Sequence, residues 1–138
     1  MSVLKILKKS VFNTTTFSKD IIIEEGDAVH VFGDINSGKT TLLNLIYNLL
    51  TGRYENENYV VDQVYGDGEI VFIPVHNDIN ELNIENLLGK KVIIFESLIN
   101  TLPVNLLKAT AEKKVTVIFS TGLIDYKFKN VKEIKLVK

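Results

Sequence analysis

Residues 33 to 40 read Gly-Asp-Ile-Asn-Ser-Gly-Lys-Thr and satisfy G-x-x-x-x-G-K-[ST] at every fixed position. Average residue usage would produce that match in a chain of 138 residues at roughly one in two hundred. Its setting constrains the fold further. An apolar run at 28–32 (AVHVF) precedes it, and Leu42, Leu43, Leu45, Ile46, Leu49 and Leu50 follow at helical spacing, with a stop near Gly52. Strand, glycine loop and helix in that order let loop N–H groups and a helix N-terminus converge on an anion. Gly33 and Gly38 allow the backbone to turn sharply and approach phosphate without a Cβ. Lys39 would carry charge to the β and γ phosphates, and the Thr40 hydroxyl is a candidate Mg²⁺ ligand. Asp34, Ile35, Asn36, Ser37 and Thr41 complete the expected phosphate-binding stretch.

A loop of this kind that hydrolyses its ligand also needs a carboxylate at a neighbouring strand end. Val92-Ile93-Ile94-Phe95-Glu96 supplies one, four apolar residues followed by an acid. Glu96 is therefore the candidate metal-side and catalytic carboxylate, together with Lys39. If the acid position falls on Phe95 instead, Glu96 stands where a catalytic base would. Glu in place of Asp also moves the carboxylate by about one bond length.

The remaining pattern predicts strands at 3–7, 20–23, 59–64, 70–73, 92–95, 115–119 and 131–137, and helices at 82–88 and 103–112. Gly66-Asp67-Gly68, between the runs at 59–64 and 70–73, reads as a hairpin turn. Continuous Val/Ile/Phe strands separated by helices indicate a parallel sheet covered on both faces, within a single domain over 1–138. Sixteen basic and seventeen acidic residues leave a net charge of −1, so nothing indicates nucleic acid as a partner. Cysteine is absent, which removes thiolate chemistry and fits a reducing, cytoplasmic setting. No run approaches the roughly 20 apolar residues of a membrane span. Arg53 is the sole arginine, against fifteen lysines, so chemistry requiring several planar guanidinium clamps lacks its raw material.

The chain resembles the nucleotide-binding domain of ABC-type ATPases over most of its length. Ile21-Ile22-Ile23-Glu24-Glu25-Gly26-Asp27 is similar to the family's lead-in strand and turn, and GDINSGKTTLLNLIYNLLTG to its Walker A loop and helix. Ile70 to Val75 is similar to the strand entering the Q-loop, Asn83 to Leu88 to the segment after it, Val92 to Glu96 to Walker B, and Thr116 to Thr121 to the strand before the switch histidine. The resemblance implies a P-loop NTPase-like three-layer α/β sandwich, with a mostly parallel sheet and a few short antiparallel strands near the N-terminus. It also implies binding of ATP (or GTP) with Mg²⁺, and an unknown protein partner or homo-oligomer.

Departures from the family pattern carry equal weight. Val75 stands in place of the Q-loop glutamine, Ser97 in place of the catalytic glutamate and Gly122 in place of the switch histidine. The stretch before Val92 is too short to hold the family's helical signature subdomain. The expectation is therefore a triphosphate-binding domain whose hydrolysis is slow or partner-dependent. The alternatives are a non-hydrolysing interaction module and a small nucleotide or metabolite kinase, the latter disfavoured by the single arginine. His30 is expected to be a core or half-buried histidine, and His76 to lie near the γ-phosphate side. Ser120 and Thr121 are either phosphate-sensing hydroxyls or turn caps, and Phe12 or Phe17 either stacks on a base or packs in the core. Lys8, Lys9, Lys113 and Lys114 are expected on solvated edges.

Overall fold

The computed structural model describes residues 1–8, 11–12, 15–17, 19–33, 38–74, 87–96, 104–121 and 130–136. Its strands are β1 (Ser2–Ile6), β2 (Val11–Phe12), β3 (Thr15–Thr16), β4 (Ile21–Glu24), β5 (Ala28–Gly33), β6 (Tyr59–Val61), β7 (Ile70–Ile73), β8 (Val92–Glu96), β9 (Thr116–Ser120) and β10 (Lys132–Leu136). The helices are α1 (Lys39–Leu50) and α2 (Val104–Lys113). Five strands form a sheet in the order β10-β5-β9-β8-β7, and β4-β1-β6 form a second sheet. Every pair in the first is parallel, and β1 runs antiparallel to both its neighbours.

Burial explains the division. β8 and β9 are buried at all five positions, which suits central strands covered on both faces. One core joins α1 (Leu42, Leu43, Ile46, Leu49, Leu50) to Val29, Val31, Val92, Ile94 and Ile118 of the parallel sheet and to Val3, Leu4, Ile6 and Ile23 of the antiparallel one. The opposite face carries Ile73, Ile93, Phe95, Val117 and Phe119, against which Leu107 of α2 packs. Alternate residues of each strand thus feed two cores, as the period of two requires. The layers are the expected three, with the short antiparallel strands near the N-terminus.

One expectation is corrected. The runs at 59–64 and 70–73 do not form a hairpin: β6 pairs with β1, and β7 pairs with β8 in the other sheet. Ile70 joins one core and Ile73 the other, so β7 requires cover on both faces. β6 buries Tyr59 and exposes Val60, which suits a half-exposed antiparallel edge. The glycine turn closes locally instead, with the Glu69 N–H bonded to the Gly66 carbonyl at 2.9 Å and the Gly66 N–H to Glu69 Oε1 at 3.0 Å. Of the helix expected at 82–88, all but its last two residues lie outside the described residues.

Candidate functional site

The order of the five-stranded sheet places a crevice before any side chain is considered. From β5 the chain crosses to the far side of the sheet for β7 and β8, returns through β9 beside β5, and then passes over β5 to β10. β5 therefore lies at the point where the winding reverses, and ligands of open α/β sheets settle outside the carboxyl ends of the strands at such a point. Gly33 ends β5, Glu96 ends β8 and Ser120 ends β9 at this edge.

α1 opens at the same edge. Gly38 precedes it at φ 97 and ψ 21, a left-handed conformation that explains glycine there. The first N–H groups of a helix have no intrahelical partner. Gly38 offers no side chain to cap them, and the first turn holds no acid to offset the positive pole of the helix. That pole opens at the edge where Gly33 and Glu96 end their strands, a setting suited to an anion.

Lys39 and Thr40, the first two helical residues, point to different partners. Lys39 Nζ donates to the Gly33 carbonyl oxygen at 2.9 Å, folding the cation back over the end of β5. Thr40 Oγ1 donates to Glu96 Oε2 at 2.9 Å, across 56 residues of sequence. Glu96 is 7% exposed and Ser120, its register partner on β9, is 5% exposed. Ser120 also pairs with Val31, so its hydroxyl-bearing position lies between the loop strand and the acid. The structure thus brings together Gly33, Gly38, Lys39, Thr40 and Glu96. Thr41 follows in the first turn of α1 and is exposed. Asp34, Ile35, Asn36 and Ser37 lie outside the described residues, as do Val75, His76, Ser97 and Gly122.

Directly behind the loop strand is an arrangement that the sequence did not signal. His30 is fully buried, with its ring stacked between Phe32 at 5.1 Å and Phe119 at 4.9 Å between centroids. Phe119 stacks in turn on Phe95 at 5.1 Å, so the ladder crosses β5, β9 and β8. His30 Nε2 and Thr121 Oγ1 are hydrogen-bonded at 2.9 Å, tying the loop strand to the end of β9. Burial first, and then the Lys39 charge, lower the imidazole pKa from 6.5 to about 4. The expectation of a core histidine holds, and Thr121 bonds to that histidine. Only the alternation of HVF on β5 with the Phe119-Ser120-Thr121 run on β9 hinted at the link. Phe17 packs against the larger core; the Phe12 side chain lies outside those described. Lys8, Lys113 and Lys114 are exposed, as expected, whereas Lys9 lies outside the described residues.

The comparisons with known proteins agree with this architecture. No family model matches the chain. Two uncharacterized ATP-binding proteins of Methanocaldococcus jannaschii are similar to it. MJ0074 is 39% identical over 82 residues, 58% of this chain and 22% of the relative. MJ1301 is 32% identical over 108 residues, 75% of this chain and 26% of the relative. The matched region thus spans about a quarter of the length of either relative. Among solved structures, the ADP conformation of MJ1267, an ATP-binding cassette of an ABC transporter, is similar with TM-score 0.53 and 12% identity. The match covers 91% of this chain and 83% of that one. A putative ABC transporter ATP-binding protein from Pyrococcus furiosus gives TM-score 0.53 at 16% identity, covering 96% of each chain. The fold is that of an ATP-binding cassette. No helix among the described residues is long and apolar enough to cross a membrane.

Proposed function

We propose that this domain binds a nucleoside triphosphate, ATP or GTP, with Mg²⁺ at residues 33–41, and that hydrolysis of the γ-phosphate is slow or depends on a partner. The observation that carries the reading is the Thr40–Glu96 contact beside the uncapped N-terminus of α1. A hydroxyl and a carboxylate oxygen 2.9 Å apart fit a hard cation. Adjacent oxygens around an octahedral Mg²⁺ held at about 2.0–2.1 Å have about that separation. Among the described residues no group of three or more His, Asp or Glu side chains gathers for a metal. That suits Mg²⁺, which keeps waters and phosphate oxygens as most of its ligands. Thr40 and Glu96 would hold Mg²⁺, which would supply neutralisation of the charge on the bound phosphates.

The chain's own groups have separable tasks. The loop amides and the α1 pole hold the phosphates. Lys39, now on the Gly33 carbonyl, exchanges that oxygen for one of a phosphate. Thr40 and Glu96 hold each other at the cation position, and their contact favours the metal-side role for Glu96 over that of a base. Val75, Ser97 and Gly122 offer no glutamine, glutamate or histidine at the corresponding family positions, which supports slow turnover. A partner supplying an arginine in trans would raise the rate, by about 10³–10⁵ in phosphate-loop hydrolases activated that way. The names of the two archaeal relatives support ATP as the ligand. A cytoplasmic location accords with the absence of cysteine.

Isothermal titration with Mg-ATP tests the reading. Heat of binding is expected from the parent chain and at least about tenfold weaker binding from Lys39→Ala; no heat, or equal heat from both, refutes it. Phosphate release above the spontaneous rate, lost in Glu96→Gln, would establish hydrolysis.

A further inference from the structure

In a parallel α/β layer, helix C-termini and strand N-termini gather at the end opposite the ligand crevice. Here that end is unlike the rest of the molecule. Residues 54–69 contain Glu55, Glu57, Asp62, Asp67 and Glu69 and not one Lys or Arg, in a chain balanced at sixteen bases to seventeen acids. Asp67 pairs with Arg53 and Glu69 with Lys91. Among the described residues Glu55, Glu57 and Asp62 have no cationic partner.

Two clefts flank this segment. One, of about 490 Å³, lies under the C-terminus of α1 and is lined by Leu49, Tyr54, Glu55, Glu57, Tyr59 and Val64 among others. α1 brings no base to its last turn, so its negative pole adds to the two glutamates. Tyr54 and Val64, 42% and 63% exposed, give the rim an apolar part. The other cleft, of about 300 Å³, is lined by Gln63 and Tyr65 of the same segment, by one acid, Glu25, which accepts from Gln63 Nε2 at 2.6 Å, and by four lysines, Lys90, Lys91, Lys113 and Lys114. Lys91 is spent on Glu69. Lys113 and Lys114 are exposed at the end of α2 and have no acidic partner among the described residues. An acidic cleft and a lysine-rich one are therefore separated by a few residues of chain.

We propose that this end of the domain is an interface with a second copy of the chain, related by a two-fold axis through residues 61–65. The acidic cleft of each copy then receives Lys113 and Lys114 of the other. An isologous contact requires a patch that is complementary to itself, and an acidic half and a basic half flanking one short segment meet that requirement. Tyr54 and Val64 supply the apolar area that charge alone does not, since rim ion pairs direct association more than they strengthen it. The crevice at the carboxyl edge stays open in such a dimer, so the interface does not rest on the nucleotide reading.

Sedimentation equilibrium of the full chain without nucleotide tests it. The parent is expected to be dimeric at low salt and to loosen as ionic strength shortens the Debye length from about 30 Å to about 8 Å. Glu55→Lys with Glu57→Lys, and separately Lys113→Glu with Lys114→Glu, should each weaken the dimer by at least about tenfold, because both contacts then juxtapose like charges. Mixing the two variants should restore a 1:1 dimer, since both contacts of the hybrid pair opposite charges. Hybrid recovery also shows that both variants are folded. A monomeric parent, a dimer untouched by either reversal, or a mixture that stays monomeric overturns the proposal. So does a parent that binds a lysine-rich peptide in the acidic cleft without self-associating.

Discussion

His30 offers a sharp test of how this fold is held around β5. The imidazole is fully buried between Phe32 and Phe119. Its pKa is brought from 6.5 down to about 4, first by burial and then by the Lys39 charge. Between those two values the unfolded chain binds a proton that the folded chain does not. Stability contributed by neutral burial is therefore complete above pH 6.5 and is lost as pH falls toward about 4. A separation of that size, at about 1.36 kcal/mol per pH unit, comes to about 3 kcal/mol. His30→Phe removes the titration while keeping a ring for the stack, at the loss of the Thr121 hydrogen bond, about 1 kcal/mol. Urea unfolding of both proteins from about pH 7.5 to about pH 4 isolates the effect, because carboxylate contributions are common to both. The parent should lose about 3 kcal/mol more than His30→Phe over that range. Parallel stability curves would refute the reasoning. In Lys39→Ala the histidine pKa, followed by NMR of its ring, should rise, since one of its two depressing causes is gone.

Thr40→Ala removes the hydroxyl that donates to Glu96 and should cost about 1 kcal/mol without ligand. It should also reduce the Mg²⁺ dependence of triphosphate affinity, measured by titration with and without the metal. Gly38→Ala places a Cβ at φ 97 and should destabilise by about 1–2 kcal/mol, with an accompanying loss of nucleotide affinity. Leu43→Ala in the centre of the α1 core should cost about 2–5 kcal/mol in urea unfolding. An effect under about 1 kcal/mol would contradict the packing described for α1.

Most of the fold was legible because its signals are local. A glycine loop between an apolar strand and an amphipathic helix needs no partner to be recognised, and residues 39–50 form the expected helix. The buried runs at β8 and β9 announced a covered parallel sheet for the same reason. The hairpin expected around Gly66-Asp67-Gly68 failed because a turn signal reports that the chain reverses, not which strand each arm will pair with. That choice was made by β1 and β8, more than fifty residues upstream of one arm and about twenty downstream of the other.

By itself the sequence determined the chemistry on offer: a glycine loop leading into Lys39 and Thr40, a strand-end acid in Glu96, no thiols and a single arginine. It left open whether Glu96 stands beside the loop at all. Only the strand order decided that, inserting β9 between β5 and β8 and bringing Thr40 Oγ1 to 2.9 Å from the carboxylate. The His30–Thr121 tie and the pairing of an acidic with a basic cleft belong to the same class. Each depends on which residues the sheet register sets side by side, and register is settled by the whole hydrophobic pattern rather than by any local run.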